Sequence, residues 1–467
     1  MNGMGAGSRS SNRLAERWAG RGGYREVLTL AGPLILSTGS LALQEFVDRM
    51  FLSWYSPLTI AAAMPSGILF FTILSLFIGT ASYVNTFVAQ YTGAGKQERI
   101  GASLWQGLYL SLVGAAIILP LGALASGLFD FIGHPDGVRE LEAVYFRILC
   151  YGAVFPIANG VLGAFFTGRG KPWPVMNVNL LATAVNVVFN YLLIFGHFGF
   201  PELGIAGAAI STIFSGFVAF LVYVLLILRP AHRLSYAILR SWRLDRELMG
   251  RLLRYGFPNG VQFFIDVFGF TVFVLLIGRL GTTELAATNI TLNINQLAFM
   301  PMIGLGMAIS ILVGQYVGEG NTALAQRSVY SGAAACFLYM GLIALAYVLA
   351  PDFFIRFFAP RSGGEAFREI RDVAVVLLRF VAVYSIFDTM NIVFASGIKG
   401  AGDTRFVMVM ILVLSALVLV IPSYLVLEVF HRGIYAAWIF VTAYISLMGC
   451  GFLLRFLQGK WKAMRVI

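Results

Sequence analysis

The chain reads as an all-α integral membrane protein of twelve transmembrane helices. These form two six-helix lobes related by a pseudo-two-fold axis along the membrane normal. Three observations predict this architecture. The composition is 59% hydrophobic and only 12% charged, with a mean hydropathy of +0.82, whereas a soluble globular protein carries about 25% charged residues. Apolar stretches of about 20 residues or more, long enough to cross a bilayer, recur along the whole chain. The second half also repeats motifs of the first, which divides the stretches into two sets of six.

In order, the expected spans lie near 27–54, 59–91, 99–129, 138–167, 172–196, 204–228, 248–279, 285–317, 323–350, 366–398, 406–428 and 433–457. Several exceed the minimum length, which tilt or kinking accommodates. They delimit a cytoplasmic tail (1–26), an N-lobe (27–228), a basic cytoplasmic linker (229–247), a C-lobe (248–457) and a C-terminal cytoplasmic tail (458–467). The polar opening stretch lacks the short apolar core and small-residue cleavage site of a signal peptide. It reads as a disordered or interfacial tail.

The repeat is explicit. Val88-Ala-Gln90-Tyr91-Thr-Gly93-Ala-Gly95 returns as Val313-Gly-Gln315-Tyr316-Val-Gly318-Glu-Gly320, an offset of 225. Pro33 pairs with Pro258, and Ala61-Ala62 with Ala286-Ala287, at the same offset. Arg147, Asn159, Gly168 and Gly170 pair with Arg379, Asn391, Gly400 and Gly402 at 232. Gly204-Ile205 matches Gly433-Ile434 at 229. The small differences fall in connecting segments. Each half holds an even number of spans, so both enter the membrane in the same sense, and a functional cavity is expected between them.

Charge sets the orientation. The net charge is +11, yet 23 of the 33 basic residues fall on one side of the membrane and seven on the other. By the positive-inside rule this places both termini in the cytoplasm. The basic surplus therefore reports topology rather than a nucleic-acid partner. Cys150, Cys336 and Cys450 fall in apolar spans and show no metal-ligand spacing. The turns Gly93-Ala-Gly95-Lys96 and Gly168-Arg-Gly170-Lys171 resemble phosphate loops only superficially, lacking G-x-x-x-x-G-K-[ST] and a preceding strand. They read as helix caps and tight turns, and no cofactor is expected.

Four carboxylates stand where hydrocarbon should surround the chain: Glu45, Asp48, Asp266 and Asp388. Each costs roughly 3 kcal/mol at the bilayer centre even on the lenient insertion scale. They are tolerated only facing water or protein, which makes them candidates for an ion or substrate path. Tyr384 and Asp388 share one face of the tenth span by their i, i+4 spacing. Asp266 follows Pro258, a residue that frees a backbone carbonyl. Such oxygens suit a hard cation such as sodium, and two facing acids could instead share a proton. A structural alternative pairs either acid with Arg379. In the first lobe Glu45 and Asp48 share a face, and Glu45 is spaced to pair with Arg49. Asn186, Asn190 and Thr212 add neutral oxygens, although asparagines also glue membrane helices together.

These residues resemble the multidrug and toxic compound extrusion (MATE) family, specifically its NorM-like branch. The resemblance rests on Val47-Asp48, Gly256-Phe-Pro258, Tyr384-x-x-x-Asp388, the Gly-x-Gly turn followed by Asp403-Thr404, and the Val-x-Gln-Tyr-x-Gly repeats. It covers nearly the whole chain beyond residue 25. It implies cation binding at Asp266, Tyr384 and Asp388, with a sodium ion as the candidate metal, and a first-lobe polar cluster of Asp48, Asn186 and Asn190. Asp266 stands where relatives commonly carry glutamate, and Thr288-Asn289 replaces a common His-Gln pair, while Asn293 fits the pattern.

The expected function is a secondary antiporter driven by sodium or protons. It would export small organic, often cationic, compounds by rocking of two lobes, as a monomer in the lipid bilayer. A flippase for a lipid-linked saccharide is the alternative, but would need a strongly cationic interior. An intramembrane enzyme would need a nucleophile–base pair or a metal set, for which no histidine or paired cysteine is suitably placed. Topology is testable directly: cysteines introduced at Ser8, Ser241 and Gln458 should react with impermeant thiol reagents only from the cytoplasm, and one at Gly363 only from outside. Labelling of position 241 from outside in intact cells would overturn the orientation.

Overall fold

The computed structural model describes residues 17–359 and 365–467; Ser8, Gly363 and residues 1–16 of the N-terminal tail lie outside the described residues. No strand occurs among those described. Among the described residues eleven helices are long and apolar enough to cross a membrane, and one bent pair, taken as one span, makes twelve. We label the spans α1 (Tyr24–Tyr55), α2 (Pro57–Gly93), α3 (Glu98–Ala123), α4 (Asp136–Tyr151 with Val154–Thr167), α5 (Trp173–Phe195) and α6 (Ile205–Ile227). The second set is α7 (Arg246–Gly278), α8 (Thr282–Glu319), α9 (Thr322–Leu349), α10 (Glu365–Ala401), α11 (Thr404–Val429) and α12 (Ile434–Leu457).

Local chemistry sets the boundaries. Ser56 caps α2 by accepting from the Leu58 amide at 3.2 Å, with Pro57 preset for the first turn. Asn321 caps α9 through the Leu324 amide at 3.1 Å, directly after Gly320 (φ +86°) closes α8. The two glycine-rich turns are helix stops, as expected: Gly95 and Gly170 adopt φ +70° and +72°. Two expected spans are interrupted. The third stops at Ala123 and a separate helix, Ala125–Ile132, follows. The fourth bends by 41° between Tyr151 and Val154. Helix α11 passes into π geometry over Ser415–Val420 and again over Leu425–Val429.

The described chain packs as two compact units. Unit A comprises residues up to Ile35 with Ile265–Arg465; unit B comprises Leu36–Phe264 with Val466–Ile467. They differ from the lobes delimited by the repeat in how the entry helices are shared. The first part of α1 packs in unit A and the first part of α7 in unit B, and each helix changes unit within two turns after its proline, Pro33 or Pro258. Proline lacks the amide that would continue the helical ladder, so these are the places where each helix is most easily redirected.

Within unit A, α10 is central, packing on α8, α9 and α12. The segment before α1, expected to be disordered or interfacial, is instead tied down where it is described. The Gly22 amide and the Tyr316 hydroxyl both donate to Glu26 Oε2, at 2.6 and 2.7 Å. Ser331 Oγ donates to Gly22 O at 2.8 Å, and Arg21 pairs with Glu319. After α12, Trp461 is buried and stacks on Phe456. Within unit B, α3 and α4 pack against α2, and α5 against α6. Val466 is buried here, its amide donating to Gln90 Oε1 at 2.9 Å. The C-terminal tail is thus packed at both Trp461 and Val466.

Gly449 decides how closely α12 approaches α10: a Cβ there would come within 2.3 Å of the Phe387 carbonyl oxygen. Backbone cannot yield as a flexible side chain does, so Gly449→Ala should cost about 1–3 kcal/mol. Gly341, on α9, has no heavy atom within 4 Å of a Cβ, and Gly341→Ala should be neutral or stabilise by up to about 1 kcal/mol. Thermal unfolding of the purified variants checks both. Equal melting temperatures for the two would contradict this packing.

Candidate functional site

Unit B holds its acid on a polar seam between α1 and α5. Asn179, Thr183, Asn186 and Asn190 recur at helical spacing along one face of α5. Asn179 Nδ2 donates to Ser37 Oγ at 2.6 Å, and Thr183 Oγ1 donates to Ser40 O at 3.1 Å. Two turns beyond Thr183, Asn190 Nδ2 donates both to Asp48 Oδ1 and, at 3.0 Å, to Asn186 Oδ1. Asn186 Nδ2 continues the chain to Thr212 Oγ1 on α6 at 3.4 Å, and Thr212 donates to Ala208 O at 3.0 Å. Gly207 lets α6 lie against α5, since a Cβ there would meet Leu193 O at 2.5 Å. Asn186 and Asn190 are fully buried.

Donors run short in this cluster. Both contacts of the Asn190 amide nitrogen are to acceptors, while its Oδ1 is buried without a donor. A buried acceptor left unmatched costs about 1–3 kcal/mol. Asp48, Asn190 and Asn186 therefore present more lone pairs than N–H or O–H groups to fill them. Glu45 pairs with Arg49 at 3.6 Å, both side chains are about half exposed, at 59% and 49%, and both interact electrostatically with Asp48.

Unit A gathers the second set. Tyr384 and Asp388 on α10 are 2% and 9% exposed. Asp266, on α7, interacts electrostatically with Asp388, and Tyr444 on α12 feels both carboxylates. Asn391 Nδ2 donates to Asp388 Oδ1 at 3.2 Å, and Asn295 Nδ2 donates to the Tyr384 hydroxyl at 3.3 Å. The Asn295 Oδ1 is another buried acceptor without a partner. Asn293, grouped with the site from its sequence position, donates to Asn289 O of its own helix at 2.7 Å; the α8 side chain that reaches Tyr384 is Asn295.

Lys399 enters unexpectedly. Its position near the end of α10 placed it among the cytoplasmic basic residues, yet it is half-buried and interacts electrostatically with Asp266. Asp403, part of the Gly-x-Gly-Asp-Thr motif, is engaged elsewhere: Arg455 Nε donates to its Oδ2 at 2.7 Å in a pair that is 14% and 6% exposed. That motif closes the α10–α11 turn against α12. Among the described residues no three His, Cys, Asp or Glu side chains cluster as a metal site. A cation here would have to draw on neutral oxygens as well as carboxylates.

Comparison with known proteins follows the same division into halves. The MatE family model matches residues 33–192 and 258–425. The probable multidrug resistance protein NorM of Thermotoga maritima is 25% identical over 446 residues, covering 95% of this chain and 94% of its own. The multidrug resistance protein PmpM of Pseudomonas aeruginosa is 27% identical over 401 residues, covering 84% and 81%. Among solved structures, the outward-facing conformation of a multidrug resistance MATE family transporter shares the fold with a TM-score of 0.85 at 20% identity, over 94% of this chain and 96% of that one. Since one family model accounts for most of the chain and does so once in each half, the protein belongs to the MatE family, in its NorM-like branch.

Proposed function

We propose that this protein is a multidrug efflux antiporter of the cell (inner) membrane, with both termini cytoplasmic. It exchanges inward-moving sodium ions or protons for small organic, often cationic, compounds. The observation that carries the proposal is the donor deficit of the Asp48–Asn190–Asn186 cluster. A carboxylate and two amide oxygens are gathered on a seam of membrane-spanning helices, and one buried acceptor, Asn190 Oδ1, has no donor. A proton on Asp48 or a sodium ion beside it would supply the missing positive partner. The loaded and unloaded clusters then differ in energy, and a ligand biases a conformational equilibrium only through such a difference.

Asp266 and Asp388 form the corresponding pair in unit A, with Tyr384 as a neutral oxygen ligand. Two carboxylates in one low-dielectric region repel each other and favour uptake of a cation. Lys399 interacts electrostatically with Asp266 and so offsets part of that repulsion. The relatives named as multidrug resistance proteins support the class of cargo, and the acid-lined positions in both units support a cationic one.

Two expectations follow for transport in proteoliposomes under imposed sodium or proton gradients. Asp48→Asn should lower efflux of a fluorescent cation about a hundredfold, the scale of breaking a buried charge interaction worth about 3 kcal/mol or more. Glu45→Gln, which removes a half-exposed ion pair worth about 1 kcal/mol or less, should act only a few-fold. Equal damage from both would refute the division of roles.

In unit A, Asp266→Asn and Asp388→Asn should each abolish coupling. Tyr384→Phe, removing one hydrogen-bonding oxygen and no charge, should cost about fivefold. The double Asp→Asn variant should be little worse than either single one, because the two acids act as a unit. Sodium-driven transport should weaken as pH falls, since protons occupy the same carboxylates. Gradient-driven efflux by Asp388→Asn at the wild-type rate, at equal expression, would eliminate this mechanism.

A further inference from the structure

The basic segment joining α6 to α7 has two distinct sides. One is packed against unit B. His232 Nδ1 donates to Leu226 O at 2.9 Å, closing the last turn of α6. Tyr236 and Phe165 lie on the Arg169 guanidinium, at 4.5 and 4.1 Å from their ring centroids. Trp105 Nε1 donates to Ile238 O at 2.7 Å, Gln106 Nε2 donates to Arg243 O at 3.3 Å, and the Tyr109 hydroxyl donates to Trp242 O. Three side chains of one face of α3 thus grip the segment's backbone. It is a fixed element, not a loose tether.

The other side has no protein to meet among the described residues. Leu234 is 71% exposed and Trp242 57% exposed, with Leu239 and Leu244 similarly bare. Interleaved with them are Arg229, Arg233, Arg240 and Arg243, all exposed and none with an acidic partner among the described residues. The acid that ends the run, Asp245, is already engaged: it pairs with Arg99 at 3.2 Å and accepts from the Leu248 amide at the start of α7. Apolar side chains and arginines interleaved on one exposed side are the composition of an element lying in a bilayer interface. Its depth follows from the chain itself, because it begins directly after α6 ends and leads directly into α7.

We propose that residues 229–244 form a built anchor for anionic phospholipid headgroups of the cytoplasmic leaflet. In it, Arg233, Arg240 and Arg243 contact the phosphates while Leu234, Leu239, Trp242 and Leu244 enter the acyl boundary. Charge complementarity selects the occupant, since the cytoplasmic leaflet is the anionic one. The exposed leucines and tryptophan favour a lipid over a nucleic acid or a soluble anion, neither of which offers hydrocarbon. Through the α3 grip, lipid bound here bears on the first turn of α7.

The test uses the full-length protein in mixed micelles, with phosphatidylglycerol or phosphatidylcholine brominated on the acyl chains. The quenched signal that belongs to Trp242 is taken as the difference between wild type and Trp242→Phe. Phosphatidylglycerol should quench it at much lower mole fraction than phosphatidylcholine. The triple change R233Q/R240Q/R243Q should erase about a hundredfold of that preference, each arginine near an anionic surface contributing roughly fivefold. The R233K/R240K/R243K protein should retain it, which separates charge from folding, and all three proteins should melt alike. Equal quenching by the two lipids, or an undiminished preference in the glutamine variant, would overturn the proposal. Displacement of the lipid by an equal concentration of glycerol phosphate would also overturn it, by assigning the arginines to a soluble anion.

Discussion

A carboxylate inside a membrane-spanning helix survives only next to donors or positive charge, and the architecture of each unit follows from meeting that need incompletely. In unit B, Asp48 accepts from one amide that is shared with Asn186, and it lies in the field of Arg49 and Glu45. In unit A, Asp388 receives Asn391, while Asp266 lies in the field of Lys399. A fully satisfied acid would be structural glue, and a wholly unsatisfied one would not be tolerated. Under the proposed antiport the intermediate condition would leave a place for a mobile proton or cation, and it distinguishes these acids from the Asp403–Arg455 pair. There a guanidinium and a carboxylate complete each other and nothing is left to bind.

Holding a half-satisfied acid in register requires neighbouring helices to come close without bulky side chains between them. Gly449 does this beside Phe387, one residue before Asp388, and Gly207 does it beside Leu193, one turn beyond Asn190. Both approaches are to a backbone carbonyl oxygen. The close contact fixes the acid-bearing helix α10 in unit A and the asparagine-bearing helix α5 in unit B, and the polar contacts then need only short reach. Packing and chemistry are coupled most tightly at these two glycines.

The membrane-spanning plan was legible because apolar length and the two-fold repetition are properties of sequence alone. The individual acids were legible for a related reason, since a charge in an apolar run is conspicuous. Their partners were less so. Asn179, Thr183, Asn186 and Asn190 make a helix-period polar stripe that could have been read as one seam, but only its last two members stand out without knowing that α1 supplies Ser37 and Ser40 opposite the first two. Asn295 and Lys399 were obscured by position. Asn295 follows Asn293, which matched a family pattern, and Lys399 lies near the end of α10, where a basic residue is ordinary. Which face a residue presents, and how far a long side chain reaches, depend on tertiary packing that spacing does not encode. The sharing of α1 and α7 between units was likewise invisible: nothing in a run of apolar residues says where its packing partners change.

The repeat preserves the framework while the chemistry placed on it diverges. Gln106 and Ser331 are separated by the repeat offset of 225, and each holds the backbone of an entry segment, at Arg243 and Gly22. That duty is common to both halves and survives a change of residue type. Asn159 and Asn391 are also paired by the repeat, and here the residue is kept while its duty differs. Asn159 Nδ2 donates to Gly216 O at 2.9 Å, tying α4 to α6, whereas Asn391 Nδ2 donates to the carboxylate of Asp388. The acids themselves have no counterparts: the positions matching Asp48 and Asp266 at the offset of 225 are Phe273 and Leu41. Duplication therefore supplied two similar scaffolds with proline-marked entry helices, and the acids were placed on them differently: Asp48 and Asp266 at non-matching positions of the corresponding helices α1 and α7, and Asp388 on α10. Under the proposed antiport, acids placed differently in the two units would give those units different responses to one ion gradient.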